Sequence, residues 1–531
     1  MKCKRILAGL ASFMLVLSPM CVCADDTVYA TDENGNQYNS IDDAWNAAMS
    51  GTVIHMTTDW YLSSRLVVSE GASATVMMDG HQIKRTGFYK GTYDENKYSK
   101  GQVIYMDTSS SLTLDGSQAS NTSFTFAVSD KISSENQTIK SGGLITGGRS
   151  SEDGCGINML ESSTLTLKNV AIAGNKSECT DFGKEGGAGI NMNEDNVTVN
   201  LIDSTITYNY SPGRGGGIYI EGDNAKLNLD NSSISNNLSY NGGGIYSDNE
   251  GTVIELKNNS HIDSNTANYF GGGIYLEDTD FKITSTDDTV NTISNNTCST
   301  YGGGIYVESE TAGTNSGEIS NLTFEENTAD DSIKSSAYDG NGGAINIDQE
   351  NIKVSNCIIK SNYASDYGGG IYNSNDDNTI ENCTITNNKV GTAGGGVYQY
   401  QKEDINLSGK LTITDNKRTD GTNDDLMLEK TWAYTAYIKG EVSSGSSVGI
   451  RTGDDEETQI GKDITSDCSQ YLFLNDSGEY HISYESGKLY KRSGLTGSIF
   501  GNGNTIIAGC VMIGIAAIGA VLVVNKKKMA K

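Results

Sequence analysis

The sequence predicts an all-β solenoid, a parallel β-helix in which each coil stacks on the one before. Three observations carry this. A Gly-Gly-(Gly/Ala)-(Ile/Val) string, or a near form, ends at Ile190, Ile218, Ile245, Ile274, Ile305, Ile345, Ile371 and Val397. A second string, (Ile/Phe)-x-x-Asn, ends at Asn175, Asn209, Asn237, Asn265, Asn296, Asn327, Asn362, Asn388 and Asn416. Between them apolar and polar residues alternate, as in Lys226–Asp230 and Val253–Lys257, which is strand patterning with no helical period. Most units span 26 to 31 residues. Propeller blades need about 40, and sandwiches lack a fixed repeat. In-register stacking would place equivalent residues in ladders about 4.8 Å apart.

Composition agrees. Of 531 residues 63 are Gly and only 2 are Pro. Gly serves corners with positive φ, and Pro cannot donate to a ladder paired on both edges. The 28 Tyr argue against a disordered Gly-rich chain. The net charge of −29, with basic clusters confined to the termini, excludes a nucleic-acid footprint.

The elements follow in chain order. Residues 1–24 read as a secretory signal peptide: Lys2, Lys4 and Arg5, an apolar centre, then Val22-Cys23-Ala24. Residues 25–141 form an N-terminal cap and first coils. Within them Ser40–Ala48 reads as a short helix with a Ser N-cap, placed to cover the open edge of the first coil. Residues 142–420 hold the Gly-rich coils, and 421–492 the C-terminal coils and cap. Residues 493–504 make a spacer. Thr505–Val524 is an uncharged run long enough to span a bilayer. The lysine-rich tail 525–531 would then face the cytoplasm and the solenoid would face outward.

The paired Gly-Gly-x-Ile and Phe-x-x-Asn tetrapeptides resemble those of chlamydial polymorphic outer membrane proteins. They are also similar to repeats of bacterial right-handed β-helix surface proteins in the pectate-lyase-like superfamily. Phe324-Glu325-Glu326-Asn327 matches the second tetrapeptide fully, and the other eight use Ile. The resemblance covers residues 142–420. It implies a right-handed coil, surface display and adhesion. The translocating barrel of those outer membrane proteins is replaced here by a single apolar span.

Chemistry concentrates beside the Gly strings. One residue after the Ile or Val stand Tyr219, Tyr246, Tyr275, Tyr306, Tyr372 and Tyr398. Three residues after it stand Glu221, Asp248, Glu277, Glu308 and Asp348. These positions share the strand face opposite the Ile. If the Ile points inward, the surface shows a Tyr ladder, able to stack on sugar rings, beside an acid ladder able to hold Ca²⁺ through oxygen ligands. A plain soluble face would use the same residues. No cofactor is required by any motif. The expected partners are host or environmental glycans or surface proteins.

Two alternatives stand beside this adhesin-like reading. Enzymes of the resembling superfamily pair acidic clusters with a basic residue, which implies Arg214 with Asp223 and Asp248 as catalytic candidates for a polysaccharide lyase or glycoside hydrolase. A passive surface spacer is the other. Among the cysteines, Cys357 and Cys383 occupy the same slot 26 residues apart, which suits either a disulfide or an unbonded inward stack. Cys155 and Cys179 are a second candidate pair.

Overall fold

The computed structural model describes residues 27–86, 101–151, 154–178, 186–309, 315–333, 339–400, 403–430, 435–453, 456–475 and 480–493. The expected signal peptide, Cys179, the transmembrane run and the tail lie outside them. No helix among the described residues is long and apolar enough to cross a membrane.

One coil illustrates the rest. Ile218–Ile220, Lys226–Asp230, Ser233–Ser235 and Leu238–Ser239 are its four strands. Each pairs in parallel with its counterpart in the next coil: Ile218 with Ile245, Leu227 with Ile254, Ile234 with Ile262, and Leu238 with Thr266. The Gly-string register holds from Ile190 through Ile218, Ile245, Ile274, Ile305, Ile345 and Ile371 to Val397. All eight side chains are wholly buried. Because side-chain direction alternates with period two, a one-residue slip would turn each Ile outward. That would forfeit about 1.5–3 kcal/mol of burial per residue.

The Asn string forms a second internal ladder. The backbone N–H and side-chain Nδ2 of Asn209 both donate to Asn237 Oδ1 at 3.0 Å. Asn237 donates likewise to Asn265, and Asn265 to Asn296. The pattern continues through Asn327, Asn362 and Asn388 to Asn416. Asn265 Nδ2 also reaches the Ile234 carbonyl at 2.9 Å. Each amide therefore saturates buried corner groups that no ladder reaches. At the last step Asp425 replaces the Asn and accepts both donations from Asn416.

The Gly strings are demanded twice over. Gly242 sits at φ +62°, and a Cβ there would lie 2.7 Å from Tyr246 Cβ. Gly243 has ordinary φ, but its Cβ would fall 2.4 Å from the Gly272 carbonyl of the next coil. Conformation selects the first Gly and close backbone approach the second.

Both ends are closed. The helix Ile41–Met49 starts at Ser40, whose Oγ accepts the Asp43 N–H. It buries Ala44, Trp45 and Ala48 over the first coil, and Trp45 Nε1 donates to the Val67 carbonyl at 2.8 Å. At the other end the antiparallel pair Tyr480–Glu485 and Lys488–Ser493 caps the sheet through Thr458–Gly461. Cys357 and Cys383 are buried and stacked inward with no bridge between them. Cys155 is also buried.

Candidate functional site

The residue after each Gly-string Ile does form the expected ladder: Tyr219 pairs with Tyr246, Tyr246 with Tyr275, Tyr275 with Tyr306, and Tyr372 with Tyr398. Its expected display at the surface is corrected. Tyr219, Tyr246, Tyr275, Tyr306 and Tyr398 are only 0–4% exposed, and Tyr372 is half-buried. The rings pack on one another along the axis, Tyr219 against Tyr246 at 5.5 Å, Tyr246 against Tyr275 at 4.9 Å and Tyr275 against Tyr306 at 5.1 Å. Period two states only that these side chains leave the inner core. It does not show that the Gly corner then curls back over them, as the Gly242–Tyr246 approach does.

A different row stands one residue before each Gly string: Arg214, Asn241, Phe270, Tyr301 and Tyr367 are part-exposed, while Asn341 and Ala393 in the same row are buried. Its carbonyls are linked from coil to coil: Gly215 N donates to Asn241 O, Gly242 N to Phe270 O, Gly271 N to Tyr301 O, and Gly342 N to Tyr367 O. Phe270, Tyr301 and Tyr367 are half-buried, as are Tyr240 and Tyr269 beside them. Tyr240 stacks on Tyr269 at 4.6 Å and Phe270 on Tyr301 at 5.5 Å. This outer row rests on the buried ladder, Phe270 against Tyr306 at 5.3 Å and Tyr367 against Tyr398 at 4.7 Å. Aromatic pairs of this kind add about 0.5–1.5 kcal/mol each beyond area burial. The sequence reading missed the row because it aligned the coils only downstream of the Gly strings; the same alignment carried one step upstream finds it.

Three of the expected acids stand in register on successive coils, Glu277 beside Glu308 and Glu308 beside Asp348, and the acids find different partners. Arg214, expected as a catalytic candidate, lies across three coils. Its Nη1 donates to Asp248 Oδ2 at 2.6 Å and to Tyr219 Oη at 3.3 Å, and its Nη2 donates to Glu277 Oε2 at 3.4 Å. Its guanidinium lies 4.6 Å from the Tyr246 ring centre. Tyr219 Oη donates to the same Asp248 oxygen at 3.0 Å. Glu308 accepts the hydroxyls of Tyr275 and Tyr306. Asp348 accepts from Ser374 Oγ and Asn375 Nδ2. Asp223 takes no part in the Arg214 cluster: its Oδ1 accepts the Glu250 amide at a different corner.

These contacts decide the electrostatics. Burial opposes the charge on Arg214, but Tyr219, Asp248 and Glu277 outweigh it and raise its pKa. Burial pushes the carboxyls of Asp248 and Glu308 above the usual range, against the pull of Arg214 and of the two Tyr hydroxyls respectively. Among the described residues, no group of three or more His, Cys, Asp or Glu is arranged to hold a metal ion. Of the expected Ca²⁺ ligands Glu221, Asp248, Glu277, Glu308 and Asp348, Asp248 and Glu277 face Arg214, and Glu308 accepts from Tyr275 and Tyr306.

Residues 252–423 match the family model described as the right handed beta helix region. Comparison with curated proteins finds no match. The stacked parallel register from the first coils to the last, together with that match, makes this chain a right-handed parallel β-helix protein.

Proposed function

We propose that the chain is a membrane-anchored cell-surface protein whose outer aromatic row binds glycan or protein ligands in an adhesin-like manner. The observation that carries this is the pair of half-buried stacks Tyr240–Tyr269 and Phe270–Tyr301, set on successive coils of a rigid scaffold. Rings that hold an apolar face at the surface without becoming mobile suit sugar C–H faces and apolar peptide side chains. Coil repetition lets weak contacts add along one ligand.

A second reading, catalysis on a polysaccharide, draws on the Arg214–Asp248–Glu277–Tyr219 cluster. Its geometry speaks against a base at Arg214: the guanidinium is kept charged and already holds two carboxylates. Incubating the full-length chain, in detergent, with an immobilised polysaccharide panel separates the readings. Retention without released fragments, unchanged by EDTA, is the expected outcome. Fragment release abolished by Arg214→Ala would replace the binding reading with the enzymatic one. Neither retention nor release would leave a protein ligand or a spacer role.

A further inference from the structure

Stacked coils meet the same structural demands at each step, so departures from the repeat that coincide in space point to a demand of another kind. Two coincide at the corner between Ser285 and Thr292. Two residues turn the equivalent corner between Asp230 and Ser233, between Ser320 and Thr323, between Ser355 and Ile358 and between Glu381 and Thr384, whereas residues 286–291 make it six here. The second departure is Ile358. Its in-register neighbours are Thr323 and Thr384, with Thr292 and Thr412 beyond them, yet this position carries an aliphatic side chain that is 46% exposed.

The inserted loop is fixed in place. Asp287 Oδ2 accepts the Asn258 N–H at 2.6 Å, Thr289 Oγ1 the Asn259 N–H at 3.0 Å and Asn291 Oδ1 the Ser260 N–H at 2.8 Å, which ties the loop to the preceding coil. Asp287 Oδ1 accepts the Thr289 N–H and an Asn291 amide hydrogen within the loop. Held this way, the loop and the two following coils bound a cavity of about 670 Å³, within the range of small-ligand sites. Walls already in place reduce the ordering that binding requires.

The lining defines what fits. Val290 on the loop, 61% exposed, and Ile358 on the coil supply aliphatic surface. Asn321 and Asn356 supply exposed amides, of which Asn321 gives one hydrogen to the Ser285 carbonyl at 3.2 Å. Asp288 supplies an exposed carboxylate with no hydrogen bond or ion pair among the described residues. No Lys, Arg or His is among the lining residues, and the chain carries a net charge of −29. Such a field attracts a cation, the amides can both donate to and accept from hydroxyl groups, and the aliphatic pair suits the C–H face of a ring.

We propose that this cavity binds an unacetylated amino sugar. The ammonium group pairs with Asp288, the hydroxyls bond to Asn321 and Asn356, and the ring lies on Val290 and Ile358. This corner is distinct from the Gly corner that carries the aromatic row, so either site can fail without the other.

Isothermal titration of the full-length chain in detergent with the β-1,4-linked glucosamine dimer, its fully N-acetylated form, cellobiose and hexylamine tests this. Saturable binding of the free-amine dimer is expected, tighter than that of the other three probes and weakening as salt rises. Asp288→Asn should weaken it about 10-fold through the lost charged hydrogen bond. Ile358→Thr should weaken it about 3- to 10-fold through lost apolar contact, and it keeps the fold because neighbouring coils carry Thr at this position. Glu33→Gln, in an exposed turn near the N-terminal end, should leave binding unchanged. Absence of binding by the free-amine dimer, equal binding of any other probe, or undiminished binding in Asp288→Asn or in Ile358→Thr would overturn the proposal.

Discussion

At the scale of single residues, the fold depends on side chains that repair backbone corners. Asn265 accepts two donations from Asn237 and is wholly buried. Asn265→Ala orphans both donors, and each buried unsatisfied group costs about 1–3 kcal/mol. A loss of about 3 kcal/mol is expected in denaturant unfolding, whereas a change below about 1 kcal/mol would deny the ladder its role. Gly243→Ala places a methyl against the Gly272 carbonyl and should destabilise by about 1–3 kcal/mol through overpacking. Glu308 carries a pH signature. Burial raises its pKa above 4.5 in the folded chain, so the folded state holds the proton more tightly than the unfolded state. Its contribution is full below pH 4.5 and falls as pH rises through the folded value. Glu308→Gln removes that fall. The variant should therefore gain stability relative to the parent between pH 4.5 and neutrality, and a pH-independent difference would contradict this. Burial also pushes the Cys298 thiol up to about 12. A thiol reagent should leave Cys298 unmodified in the native chain and label it after denaturation; rapid native labelling would show that its coil opens.

At the scale of elements, strands and register were legible, and the outer surface was not. Recurring Ile and Asn fix which face of a strand points inward, because a slip by one residue would expose every Ile. The Ser40 cap likewise disclosed the N-terminal helix. Beyond the core, periodicity is silent about what a loop does after it leaves the strand. The Tyr ladder was read in its correct register yet placed at the surface, since strand alternation distinguishes inside from outside but not outside from covered. Arg214 meets Asp248 and Glu277 at sequence distances of 34 and 63 residues. The sequence had already grouped Arg214 with Asp248; what it did not show is that Glu277, one coil further on, joins them and Asp223 does not.

At the scale of the whole molecule, the coils form one continuous hydrophobic interior from Ala30 to Leu489, closed by a helix at one end and a β-hairpin at the other. Such a rod holds surface groups at fixed axial steps, which is the property that repetitive binding needs. Its central functional claim rests on the outer aromatic row. The most direct measurement is the affinity of Tyr269→Ala, Tyr301→Ala and the double variant for whichever ligand the parent chain retains. Each folded single variant should bind about 2- to 10-fold more weakly, in keeping with about 0.5–1.5 kcal/mol per aromatic contact, and the double variant more weakly still. Unchanged affinity in a folded double variant would contradict the account.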